Sequence, residues 1–232
     1  VLVAGQTPPP YNGQAIMIDK MLHGTYRQIE FHHVRMTFSK GAEEIGKFGV
    51  GKVFHLFSVV VQIIGRRLKD NIDILYYPPS GPNKVPFFRD AVILVMVRPF
   101  FKKVCFHFHA AGISDLYPTL DRFSQFLFRR AYYGADLGIR LSPTSPEDCK
   151  KLHLAKEVII PYGIEDSYAT DPTHETGNQS VVSILFVGLL IESKGLLDLI
   201  RALHLLKERG IDFRAKVMGE FKTFEFKQEA GS

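Results

Sequence analysis

The sequence predicts an α/β fold: a doubly wound parallel sheet, followed by the opening strand–helix–strand of a second sheet of the same kind. Three observations carry that prediction. Upstream of residue 171, six short apolar strands alternate with helical segments, the pattern of a parallel sheet with helical crossovers. Further on, Ile184–Gly188 is an unbroken apolar run ended by glycine, which reads as a strand buried on both faces. From Leu196 the apolar positions change to helical spacing, with Leu196, Leu199, Ile200, Leu203 and Leu206 on one face.

Bulk properties agree with a globular chain. The 232 residues are 46% hydrophobic and 23% charged, enough for a sizeable core. A net charge of +5 is modest and spread along the chain, so nucleic acid is not an expected partner. Two cysteines, Cys105 and Cys149, make no disulfide framework and suit a reducing cytoplasm. Val1 already lies in a strand-like run, so no signal peptide is read, and the missing initiator methionine predicts that the natural chain starts further upstream.

In chain order, Val1–Gly5 is the first strand. The loop Gly5–Ala15 carries three prolines and then Gly13, which permits a tight turn before a helix from Gln14 to about Thr25. A second strand, Gln28–Met36, places His32 and His33 on opposite faces, so they read as structural or surface residues rather than metal ligands. Val53–Leu68 is a strongly apolar helix with a narrow polar stripe at His55, Ser58, Gln62, Arg66 and Lys69. It is too short and interrupted to span a bilayer, which takes about 20 residues. Burial as a crossover helix is the expectation. Peripheral contact of 40–70 with a membrane, basic flanks on anionic headgroups, is the alternative.

The third strand, Ile72–Tyr77, stops at Pro78-Pro79, and a helix follows around Phe87–Val97. Lys103–Gly112 then sets Cys105, His107 and His109 at alternate positions of a strand. A straight strand spreads those side chains over about 13 Å, too far for one zinc ion. His109 instead emerges at the strand's C-terminal end, where open α/β sheets bind ligands. The other reading of His109 is a hydrogen-bonded histidine that closes the strand. Next come a long helix from Asp115 to about Tyr133, interrupted early by Pro118, a strand at Ala135–Ser142, a short helix capped by Ser145 ahead of Pro146, and a buried strand at Glu157–Pro161. Asp171–Gln179 is polar and turn-rich and reads as a linker. The expected domains are therefore 1–170, a linker at 171–180, and 181–232.

In the last segment the turn Leu189–Ser193 leads to Lys194-Gly195 at the mouth of a helix. Free N–H groups, the positive end of the helix dipole and a lysine make a ready anion site there; the plainer reading is an ordinary turn with a surface lysine. A strand at Phe213–Met218 follows. Two strands and one helix cannot cover both faces of their own sheet, so the Leu196/Leu199/Leu203 face is expected to be uncovered and to drive self-association or disorder.

Four of these stretches together resemble one family. Phe186–Gly195, FVGLLIESKG, resembles the start of the second domain in family 4 glycosyltransferases of the GT-B fold, enzymes with two Rossmann-like domains. Pro9–Gly13, His109–Gly112 and Pro161–Glu165 resemble turns of the first domain. The resemblance implies a retaining, metal-independent transfer of a hexose from a nucleotide-diphosphate sugar to a saccharide or lipid-linked saccharide acceptor, with no cofactor beyond that donor. It implies that Gly13, Gly188, Lys194 and Gly195 meet the donor and that His109 faces the transferred sugar. It implies a cytoplasmic enzyme, peripheral on the inner face of the membrane where the acceptor is lipid-linked.

Three positions depart from the family pattern: Gln14 replaces a glycine, Leu189 an arginine that binds phosphate, and Tyr162 an asparagine. The paired glutamates that hold the ribose in the family have no counterpart, so the second domain is expected to be incomplete. Other readings are a sugar-nucleotide epimerase of the same fold and a truncated module without catalysis. A dinucleotide enzyme fits poorly, because no Gly-x-Gly-x-x-Gly follows the first strand.

Overall fold

The computed structural model describes residues 1–37, 50–163 and 181–219. The linker at 171–180, the basic approach 38–49, Ile164–Asp166 of the family-like turn and the tail from 220 lie outside the described residues. The chain divides into two compact units, Val1–Gly163 and Ile164–Ser232.

In the first unit β1 (Leu2–Gly5), α1 (Gly13–Leu22), β2 (His32–Arg35), α2 (Val50–Lys69), β3 (Ile74–Tyr77), α3 (Lys84–Val97) and β4 (Lys103–His107) follow one another. They are followed by α4 (Arg122–Tyr132), β5 (Leu137–Arg140), α5 (Asp148–Lys151) and β6 (Glu157–Ile159). All six strands pair in parallel, in the order β2-β1-β3-β4-β5-β6. Strands run outward from β1 to β2, and the chain then crosses back to β3, so the topological switch lies between β1 and β3. The unit is a Rossmann-like α/β fold.

The strand pleat sorts the core into two clusters. Leu2, Ala4, Leu75, Tyr77, Val104 and Phe106 face α2, α3 and α4, which bury Val59, Ile63, Phe87, Leu94, Phe128 and Tyr132 against them. The opposite face presents Val3, Tyr76 and Cys105, and α1 covers it with Ile18, Met21 and Leu22. Gly138 is needed where α5 meets β5, because a Cβ there would stand 2.4 Å from Cys149 Sγ and 2.6 Å from Leu154 Cδ2.

Several local expectations change. Pro118 does not interrupt one long helix; it sits in a 3-10 turn, Ile113–Thr119, and α4 begins afresh behind Asp121, whose carboxylate accepts from the Phe123 and Ser124 N–H groups. Ser145 does not cap the short helix, which starts at Asp148. β6 is an edge strand with Glu157 and Ile159 exposed, not a buried one. Helix α2 is buried along one face only. Its other face exposes Phe54, at 74%, with Phe57, Val61 and Leu68 beside the polar stripe of Ser58, Gln62, Arg66 and Lys69. No helix of the described residues is long and apolar enough to cross a membrane.

The second unit holds β7 (Val182–Val187), α6 (Leu196–Glu208) and β8 (Phe213–Met218), with β7 and β8 paired in parallel. Contrary to the expectation of an uncovered helix face, Leu196 is buried with Leu190 and packs near Phe186 and Leu197, and Leu199 and Leu203 are half-buried. The uncovered surface is the far side of the sheet. Register puts Leu185, Val187 and Met218 there, and Leu185 and Val187 are 61% and 68% exposed. β7 therefore has one half-buried face rather than two buried ones, because α6 can cover only one side of a two-stranded ribbon.

Candidate functional site

The C-terminal ends of β1, β3 and β4 meet beside the topological switch, and each loop leaving them is tied down. After β1, Arg35 Nη2 donates to the carbonyls of Thr7 (3.2 Å) and Pro9 (2.6 Å), which fixes the proline loop. After β3, the buried Asp90 carboxylate accepts from the Tyr77 hydroxyl (2.8 Å) and the Ser80 N–H (2.8 Å). After β4, the buried Asp148 accepts from the Gly112 N–H (2.6 Å) and the Ser114 N–H (2.9 Å). Gly112 itself sits at φ 92°, a left-handed conformation that favours glycine. Two carboxylates brought from distant helices thus hold backbone where a ligand would approach.

Within this frame β4 ends in a cluster of rings. His107 and Tyr76 share the α1 face of neighbouring strands, and a 2.5 Å hydrogen bond joins His107 Nδ1 to the Tyr76 hydroxyl. The strand does not run straight on to His109. A tight turn, with the His109 N–H donating to the His107 carbonyl at 3.0 Å, folds it back. The two imidazoles then lie against each other, tilted by 31° with centroids 3.9 Å apart. His109 Nε2 lies 3.2 Å from the same Tyr76 hydroxyl, and His109 Nδ1 is 2.6 Å from the hydroxyl of Tyr162, just beyond β6.

Burial dominates the electrostatics here. Desolvation lowers the His107 pKa to about 4 and, with the neighbouring His107 adding to it, lowers that of His109 to about 3. Burial also lifts the Tyr76 hydroxyl far above its ordinary range and raises that of Tyr162. Both imidazoles are neutral and both phenols protonated at neutral pH, so the cluster offers hydrogen bonds and ring faces rather than charge. Among the described residues no three His, Cys, Asp or Glu side chains are arranged to hold a metal ion.

The structure brings His109 to the crevice end of the sheet and engages both of its nitrogens with tyrosines. Gly13 is the first residue of α1 rather than a turn before it. Asn12 caps the helix by accepting from the Ala15 N–H at 2.9 Å, and a Cβ on Gly13 would meet nothing within 4 Å. In the second unit Gly188 extends β7, its N–H donating to the Met218 carbonyl at 3.0 Å. Glu192–Lys194 forms a 3-10 turn, and Gly195 at φ 76° redirects the chain into α6. No side chain caps the first turn of α6, and Lys194 is exposed, with no ion-pair partner among the described residues. Asp198, the one acidic group of that first turn, pairs with Arg201 at 3.3 Å.

The sequence alone does not mark Tyr76, Tyr162, Asp90 and Asp148 as parts of this site. Tyr162 carried the one available signal, a hydrogen-bonding ring at a turn where the resembling family has asparagine. No protein-family model and no curated protein matches the chain.

Proposed function

We propose that the chain comes from a retaining glycosyltransferase of the GT-B kind, which moves a hexose from a nucleotide-diphosphate sugar to a saccharide or lipid-linked saccharide. The observation that supports this best is the neutral histidine–tyrosine cluster at the crevice end of β4, beside the topological switch. A sugar is uncharged, rich in hydroxyls and flat along its C–H faces, so it suits neutral hydrogen-bonding rings better than an ionic pocket. In this reading His109 and its tyrosine partners serve the hexose, and Lys194 with the uncapped start of α6 serves the diphosphate. Charge grows on the leaving phosphate as the glycosidic bond breaks. A cation aimed at those oxygens therefore contributes more in the transition state than in the ground state. The reading assigns that role to Lys194 and needs no metal.

Calorimetric titration with UDP and with GDP tests the donor side. A charge-assisted hydrogen bond from Lys194 is worth roughly 1.5–3 kcal/mol. Lys194→Ala is therefore expected to weaken binding about tenfold or more. Equal heats from the two proteins would remove Lys194 from the diphosphate site.

A lipid-linked acceptor is supported by the exposed apolar face of α2, which ends in Arg66 and Lys69. The chain is expected to cosediment with vesicles containing phosphatidylglycerol and less with pure phosphatidylcholine, and a Phe54→Ser/Phe57→Ser variant to lose most of that binding. Unchanged cosedimentation of the variant would leave the face without a membrane role.

A further inference from the structure

The hydrogen bonds around His109 have a direction that can be worked out from proton counting. A neutral imidazole has one N–H and one bare nitrogen, and a phenol has one O–H. His109 is bonded at both nitrogens, so it donates at one and accepts at the other. Tyr76 lies between the two histidines; it can donate to only one of them, while its oxygen can accept from one or from both. Three arrangements satisfy all three bonds, but the one in which Tyr76 accepts from both histidines strands its own O–H, which on a side chain only 4% exposed has no further hydrogen-bond partner among the described residues. Two remain.

In the outward arrangement His107 Nδ1–H donates to Tyr76, Tyr76 donates to His109 Nε2, and His109 Nδ1–H donates to the Tyr162 oxygen. In the inward arrangement every bond is reversed, and His107 carries its proton on Nε2. That nitrogen is buried and has no hydrogen-bond partner among the described residues. A buried orphan N–H is rarer in proteins than an under-used acceptor, because a stranded donor forfeits its hydration outright. The inward arrangement requires such an orphan; the outward one leaves only a bare lone pair.

We infer that Tyr162 is the hydrogen-bond donor that the first unit presents to its ligand, with His107, Tyr76 and His109 as positioning residues that turn its hydroxyl proton outward. Tyr162 is 40% exposed, and its oxygen is already occupied by the His109 N–H, so its own O–H is what remains for an acceptor oxygen. Resting on the transferase reading, that acceptor is an oxygen of the hexose. His109, with both nitrogens engaged, acts through Tyr162. The chain orients a proton and does not shuttle one, since it ends at His107 Nε2 with no group to receive what would pass along it.

Long-range proton–nitrogen correlation spectra of the full chain labelled with ¹⁵N-histidine read the tautomers directly. Both His107 and His109 are expected as the Nδ1–H form, the reverse of the form that free imidazole side chains prefer. Tyr76→Phe, nearly isosteric, cuts the link and is expected to return His107 to the Nε2–H form. An Nε2–H signal for either histidine in the wild-type chain would overturn the outward direction, as would tautomers unmoved by Tyr76→Phe. Methyl α-glucoside and methyl α-mannoside then probe the ligand. One of them is expected to shift the His109 Nδ1 signal, and Tyr162→Phe to abolish that shift. Silence with both sugars, or a shift that survives in Tyr162→Phe, would overturn Tyr162 as the donor to a hexose. The nucleotide titration judges the transferase reading on other residues, so the two can fail separately.

Discussion

Asp148→Ala is expected to destabilise the first unit by about 4 kcal/mol, because it strands two buried N–H groups at once. Asp148 is fully buried, and its two oxygens divide the work: Oδ2 accepts from Gly112 and Oδ1 from Ser114. A hydrogen bond to a charged acceptor contributes roughly 1.5–3 kcal/mol, and a buried donor left without a partner costs a further 1–3 kcal/mol. Water cannot easily compensate, since Ser114 and the neighbouring Ile113 are themselves buried. Asp148→Asn separates the charge from the geometry. Its amide keeps one acceptor but turns an NH₂ toward the second N–H, so roughly half the loss is expected. Urea unfolding gives the magnitude, and amide exchange gives the place: Gly112 and Ser114 should exchange much faster in both variants. A variant within 1 kcal/mol of wild type with unchanged exchange would show that the loop is held by packing alone. Because the same segment begins at His109, the variant should also loosen the bond between His109 and Tyr162.

The sequence makes the scaffold legible and the site only half so, for a physical reason. Strand–helix alternation is a local pattern, and all six strands of the first sheet lie where it places them, trimmed at their ends. His109 is legible too, since a strand that ends in a polar residue ahead of a glycine exposes that residue at the sheet's edge. Its partners are not. Tyr76 is 33 residues away and Tyr162 is 53, and only strand register and the β6 exit bring them to the ring. The turn that brings His109 against His107 breaks the alternation on which a straight-strand reading depends. Asp148 shows the same limit. In sequence it looks like an exposed residue near a helix start, and its burial follows from α5 packing so closely on Gly138. The second unit failed in the opposite way. An apolar run predicts two buried faces, but burial depends on how many neighbours exist, and among the described residues β7 has only β8 and α6.

Acid should unfold the first unit well above the pH at which carboxylates ordinarily titrate, and the two crevice histidines should account for much of the effect. In the folded chain His107 stays neutral down to about pH 4 and His109 down to about pH 3, while both would take up a proton near pH 6.5 when unfolded. Between those values the unfolded chain binds more protons than the folded one, so stability rises with pH and is lost as pH falls below about 6.5. Two such groups give a slope on the order of 2 kcal/mol per pH unit at its steepest. His33, lowered chiefly by burial, adds in the same direction. Urea unfolding at pH 7, 6 and 5 measures the slope, and a His107→Gln/His109→Gln variant should flatten it whatever its stability at pH 7. A slope equal to wild type in that variant would place the acid sensitivity elsewhere. The consequence for function has the opposite sign. Because neither imidazole changes charge in the folded chain between pH 5 and 8, hexose binding at the cluster should be nearly flat across that range even as stability declines. A site that used His109 as a titrating acid or base would instead show an inflection there.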